Sequence, residues 1–289
     1  MSDLLSAPSS LLQPRQAACR PVSRVEAGDK DERPPVPDAL GLFCQRATRA
    51  IAVILGLTAV AWGIHVLPVF TRQAPIERVA TQLVDGGPFK PEVLLALMPQ
   101  VGAAEKADPC RPAAVRSAAI IRTRVAEQAI VSGENIDAEL SALNDSIRRS
   151  LSCSPADPFL WFMLYWTESI RNGFQPNYLE YLRLSYQLGP NEGWIAVKRN
   201  RYALAIFQTL PPDLASQVVS EFAGLVHSGF VAETVASLEG PGWNVRERLL
   251  AGLKDVPERN REVFAKVLYH DGYNVTVPGI MLAEPRPWD

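Results

Sequence analysis

The 289-residue chain has little histidine, little cysteine and no excess of charge of either sign. Its 29 Lys and Arg residues against 31 Asp and Glu residues give a net charge of −2, so it lacks the basic surplus that neutralises phosphate. We therefore expect no nucleic acid among its partners. Four cysteines are too few for a disulfide-dense scaffold, and three histidines leave little for a multi-histidine metal site.

The motifs of common catalytic sites are also missing from the sequence. It contains no H-E-x-x-H, no C-x-x-C, no glycine-rich phosphate loop and no G-x-S-x-G segment. His270 and Asp271 are neighbours, but adjacent residues on a helix point apart and make a poor acid–base pair. We therefore predict no catalytic residue, no metal site and no cofactor.

The first 49 residues differ in composition from the rest of the chain. They hold seven basic and six acidic residues, with six prolines and no apolar periodicity after the opening leucines. Such a segment cannot bury enough surface to offset its ordering entropy. We predict a disordered cytoplasmic tail over residues 1–49.

An uncharged apolar run follows at residues 50–70, with the sequence AIAVILGLTAVAWGIHVLPVF. As a helix, 21 residues rise about 31 Å, the thickness of a bilayer core. The run predicts a transmembrane helix in contact with lipid. Two alternatives remain open: a signal peptide cleaved after the A-x-A pattern that ends at Ala61, and a buried core helix of a soluble protein.

The orientation of the span in the membrane is less clear than the span itself. Two basic residues before the run, Arg46 and Arg49, are matched by two after it, Arg72 and Arg78. The short tail carries seven basic residues in all, which favours a cytoplasmic N-terminus. We predict a single-pass protein of a bacterial inner membrane with residues 71–289 in the periplasm.

Residues 71–289 show the pattern of an all-α domain, with helical segments separated by proline and glycine. Asp157 before Pro158 is a typical helix start, and Gly189 before Pro190 a typical helix end. The predicted helices are residues 91–100, 112–132, 136–151, 158–172, 177–188, 193–209, 212–228, 244–254 and 258–270. Their lengths and short loops are typical of stacked helical hairpins.

A weak repeat is visible within this domain. The turn at Pro155 recurs at Pro190, 35 positions later, and each turn precedes a long helix. Residues 153–230 thereby resemble tetratricopeptide-like proteins, whose unit is about 34 residues. A generic array of helical hairpins is the alternative.

A second resemblance involves the segment LGPNEGWIA at residues 188–196, followed by Arg199, Arg201, LPP at 210–212 and EF at 221–222. Together they resemble a group of single-span helical membrane proteins of alphaproteobacteria associated with exopolysaccharide production. The resemblance implies a location and a pathway, and it supplies no catalytic residue.

Three groups of residues in the domain are candidates for special roles. The aromatic run at residues 159–166 is predicted to be a central buried helix, with a sugar-stacking platform and a membrane-surface contact as the alternatives. Trp194, Lys198, Arg199 and Arg201 form a basic cluster that is a candidate site for a partner or an acidic polysaccharide, the alternative being a solvated helix face. Cys110 and Cys153 form a candidate disulfide, because both follow the predicted span and an exported domain meets an oxidising compartment.

These observations predict a membrane-anchored helical adaptor that binds envelope proteins and serves polysaccharide assembly, without catalysis of its own. The alternative is a periplasmic polymer-modifying enzyme on an α/α scaffold.

Overall fold

The computed structural model describes residues 39–281, and of residues 39–45, 68–70 and 72 it describes the backbone. Every regular element among the described residues is a helix, so the all-α fold class is confirmed. The chain divides into two units, one of the residues up to Val60 and one that begins at Ala61. The first 38 residues of the predicted tail lie outside the described residues.

The first helix, α1, runs from Ala39 to Val84. It contains the stretch Arg46–Leu67, 22 residues in which an 18-residue window reaches a mean hydropathy of 2.2, and this stretch is long and apolar enough to cross a membrane. None of this window is buried, unlike the core helix of a soluble protein. The predicted tail boundary was wrong as well, because residues 39–49 belong to the helix.

The second unit contains the last part of α1 and ten further α-helices. They are α2 (Pro91–Glu105), α3 (Pro112–Ser132), α4 (Ile136–Cys153), α5 (Pro158–Asn172), α6 (Leu179–Leu188), α7 (Gly193–Ala205), α8 (Pro212–His227), α9 (Val231–Glu239), α10 (Arg246–Ala251) and α11 (Glu258–His270). The sequence predictions omitted α9 and joined α10 to the short 3-10 turns on either side of it.

Local sequence explains where several of these helices begin. Pro91, Pro112, Pro158 and Pro212 are the first residues of α2, α3, α5 and α8. Proline is well tolerated there because the first helical N–H has no intrahelical partner and the ring fixes a helical φ. At α5, Asp157 adds a cap by accepting hydrogen bonds from the backbone N–H groups of Phe159 and Leu160 at 3.0 and 3.3 Å.

Helices that follow one another in the chain form hairpins. The most extensive packing joins α3 to α4 and α5 to α6, followed by α2 to α3 and α4 to α5. The third hairpin, of α7 and α8, has a smaller contact, and α11 then packs on α8 and α9. The large core cluster that holds these layers together includes Leu143, Leu160, Leu182 and Phe222, all fully buried. A smaller cluster around Ile76, Leu94 and Ile121 joins the end of α1 to α2 and α3.

A disulfide joins Cys110, in the loop before α3, to Cys153, the last residue of α4. The two Cα atoms are 6.2 Å apart, within the usual range for a disulfide. The bridge ties both ends of the α3–α4 hairpin together.

Candidate functional site

A continuous groove runs along α3, α5 and α7. It consists of three adjoining cavities of about 310, 560 and 830 Å³. Lys198 lines the first and second cavities, Tyr202 the second and third, and Glu127 all three. We call this feature the α3–α5–α7 groove.

The groove follows the helix axes. Its lining advances from Ile120 and Trp194 in the first cavity to Val131 and Tyr202 in the third. From Ile120 to Val131 a helix rises about 16 Å, roughly the length of five residues of extended chain. The groove is therefore long enough to hold a short segment of another chain.

The floor of the groove comes from the aromatic run of α5. Phe159, Phe162 and Trp166 lie three and four residues apart on one helical face and line the middle cavity. All three are buried, as predicted for a central helix. Trp161 lies on another side of α5 and stacks on Tyr181 of α6, with ring centroids 5.9 Å apart. The same helix thus supplies both the hairpin core and the groove floor.

Two cations of the predicted basic cluster line the groove. Lys198 and Arg201 are exposed, and both border the middle cavity. Neither forms an ion pair or hydrogen bond with any residue that the structure describes. The nearby carboxylate of Glu127 accepts a hydrogen bond from Arg124 Nη1 at 2.9 Å. Lys198 and Arg201 therefore present two uncompensated positive charges to the groove.

Trp194 borders the first cavity beside a different cation. Arg116 lies over the Trp194 ring, 5.6 Å from its centroid, and the Trp194 and Phe159 centroids are 4.9 Å apart. Arg116 Nε also donates to Asp157 Oδ2 at 2.6 Å. The indole is thereby held in place at the end of the groove by α3 and α5.

Arg199, the fourth member of the predicted cluster, is not a surface residue, and its assignment as a partner-binding residue was wrong. Its side chain is 0% exposed and donates from Nε to Glu221 Oε1 at 3.0 Å. It also donates to the backbone oxygens of Ser185 and Gly189, and so satisfies the carbonyl groups at the end of α6. A partner cannot reach it, because α6 and α8 enclose it.

Glu221 is the centre of this buried polar network. Besides Arg199, it receives hydrogen bonds from Tyr186 Oη at 2.8 Å and Asn200 Nδ2 at 3.4 Å. Burial raises the pKa of the Glu221 carboxyl, and the Arg199 guanidinium opposes that rise. No groove cavity is lined by these four residues, so the network holds α6, α7 and α8 together rather than contacting a ligand.

Apolar groups line the far end of the groove, and the sequence analysis did not single them out. Leu95 of α2 is 55% exposed and Val131 of α3 is 89% exposed, and both line the third cavity with Tyr202. Glu134 and Glu139 line the same cavity. Each of these residues is an apolar side chain that lies outside the buried face of its helix. The sequence alone does not show which face is buried, because that depends on how α2 and α3 pack.

The remaining polar candidates form no site. Over residues 39–281 the structure contains no group of three or more His, Cys, Asp or Glu side chains placed to hold a metal ion. His270 Nδ1 lies 3.4 Å from Asp271 Oδ1 at the exposed end of α11. Neither residue lines a cavity of the groove.

Comparisons of this chain with protein-family models, with curated proteins and with solved structures find no match.

Proposed function

We propose that this protein is a single-span adaptor of the bacterial envelope that binds a segment of a partner protein in the α3–α5–α7 groove. The observation that carries the proposal is the pair of unpaired cations, Lys198 and Arg201, beside exposed apolar side chains in one continuous groove. Exposed apolar surface in a concave site is a typical feature of protein-binding surfaces.

The helical architecture is consistent with an adaptor. Stacked hairpins create extended concave surfaces, which repeat proteins use to bind partners. The groove here is lined by the first helix of each of three successive hairpins, α3, α5 and α7, as in a tetratricopeptide-like array. We extend the proposal to a role in polysaccharide assembly, which rests on the resemblance of residues 188–222 to membrane proteins associated with exopolysaccharide production.

The proposed location is the inner membrane, with the helical domain in the periplasm. The apolar stretch Arg46–Leu67 supports the membrane anchor. The Cys110–Cys153 disulfide supports an oxidising compartment for the domain, because the cytoplasm keeps such thiols reduced.

Site-specific photo-crosslinking in living cells tests the adaptor role. A photo-crosslinking amino acid replaces Tyr202 in the groove or, as the control, Tyr269 on α11; the two side chains are 44% and 46% exposed. We expect a crosslinked partner protein from position 202 and none from position 269.

The charge of the groove provides the second arm of this test. The double variant Lys198→Glu/Arg201→Glu should lower the crosslinking yield at position 202 about tenfold. The matched control is Lys254→Glu/Arg259→Glu, which reverses two exposed basic residues outside the groove. The absence of any protein crosslink from position 202, or equal loss in both double variants, would show that the groove is not a protein-binding site.

A further inference from the structure

We propose that the segment held in the α3–α5–α7 groove is acidic at one end and apolar at the other, with its carboxylate between Lys198 and Arg201 and a large apolar side chain against Leu95, Val131 and Tyr202. This inference rests on the proposed adaptor function and specifies the chemistry of the partner segment. It follows from how charge and apolar surface are distributed along the groove.

The acidic end is set by the two cations of α7. Lys198 and Arg201 are three residues apart on one helical face, so their like charges repel each other. The one carboxylate that lines the cavity with them, that of Glu127, already pairs with Arg124. A carboxylate from outside the domain would relieve the repulsion and pair with both cations, and Arg201 can hold it with two parallel hydrogen bonds.

The apolar end lies in the third cavity. There Leu95 and Val131 expose more than half of their surface, and Tyr202 and Trp166 line the same cavity. Removing this surface from water is favourable only with an apolar occupant. Arg124 lines the same cavity but pairs with Glu127, whereas Glu134 and Glu139 add two further negative charges, so an acidic residue at this end would meet like charge.

The spacing of the two ends gives the length of the segment. Lys198 and Tyr202 are one turn apart on α7, about 6 Å along its axis, and the third cavity extends beyond Tyr202 toward Val131. An extended chain advances about 3.3 Å per residue. The acidic and apolar residues of the partner are therefore about two to five positions apart in its sequence.

Mapping of crosslinked residues by mass spectrometry tests this inference on the full-length protein in cells. One photo-crosslinker replaces Val197, beside the two cations, and another replaces Val131; Val263 on α11, also exposed, is the control position. We expect positions 197 and 131 to capture the same partner segment. The residue captured at position 197 should be next to Asp or Glu, and the residue captured at position 131 should be apolar.

A charge exchange completes the experiment. Lys198→Glu/Arg201→Glu should lower the crosslinking yield about tenfold, and changing the captured Asp or Glu of the partner to Lys should restore it. A captured segment that is basic or lacks carboxylates, or a yield that the exchange does not restore, overturns this inference and leaves the adaptor function in place. Capture of no protein at either position overturns both.

Discussion

Leu94 and Leu95 are adjacent on α2 and have opposite environments: Leu94 is 0% exposed and Leu95 is 55% exposed. Leu94 packs in the cluster that joins α1, α2 and α3, whereas Leu95 lines the third cavity of the groove. One face of α2 thus packs in the core, and the neighbouring face contributes to the proposed binding surface.

We expect this difference to separate stability from binding. Leu94→Ala should lower the free energy of unfolding by about 2–5 kcal/mol, because it leaves a cavity in a packed core. Leu95→Ala should change it by less than about 0.5 kcal/mol and still weaken the crosslink from position 202. Urea titration of the purified full-length protein in detergent, followed by tryptophan fluorescence, measures the first effect. Equal destabilisation by both variants would contradict the assignment of Leu95 to a binding surface.

The buried ion pair of Arg199 and Glu221 leads to a second prediction. Glu221→Gln should lower the free energy of unfolding by about 3–5 kcal/mol, because the Arg199 charge would remain buried without a counter-charge. The matched control is Asp213→Asn at the exposed pair formed with Arg183, where the loss should stay below about 1 kcal/mol. The same urea titration compares them.

A double variant shows whether the Arg199–Glu221 pair acts as a unit. Arg199→Leu/Glu221→Leu removes both charges. It should lose less unfolding free energy than the single variants Arg199→Leu and Glu221→Leu lose when their losses are added. Additive losses would mean that the two side chains contribute independently.

The Cys110–Cys153 disulfide gives a third prediction. The sequence separation of 43 residues corresponds to a stabilisation of about 4 kcal/mol in the chain-entropy model. Cys110→Ser/Cys153→Ser should therefore lower the unfolding midpoint markedly, whereas dithiothreitol should not change the midpoint of that variant. Mass spectrometry of the domain without reduction should find neither of these cysteines alkylated, and two free thiols there would contradict the bridge.

Membrane topology is the fourth prediction, and reporter fusions measure it. A reporter that requires the cytoplasm should be active when inserted after residue 45 of the full-length chain, and one that requires the periplasm should be active when fused after residue 289. The physical reason is the seven basic residues on the short segment before the span, where the positive-inside rule has most force. The opposite pattern of activity would place the helical domain in the cytoplasm.

The sequence could predict those features of the fold that depend on neighbouring residues. The cap at Asp157 and the start of α5 at Pro158 follow from local hydrogen bonding and a fixed φ, and the structure confirms both. The apolar stretch of α1 could be predicted from length and hydropathy alone. Its start at Ala39 was not predicted, because residues 39–49 directly follow the proline-rich, charged segment and were grouped with it by composition.

The candidate site depended on contacts between distant residues, and it was predicted only in part. Lys198, Arg199 and Arg201 look alike in the sequence, yet only Arg199 faces the core. The difference comes from Glu221, 22 residues further along the chain, which α8 brings to the same side of α7. The exposure of Leu95 and Val131 likewise depends on how α2 packs beside α3.

The pairing of Arg199 with Glu221 also bears on how relatives of this chain can be recognised. Because a change at either position leaves a buried charge without its partner, the two positions should change together during evolution, whereas Lys198 and Arg201 should vary with the partner protein. In distant relatives, a matched pair of side chains at these two positions, 22 residues apart on successive helices, should therefore be recognisable after the residues of the groove have changed.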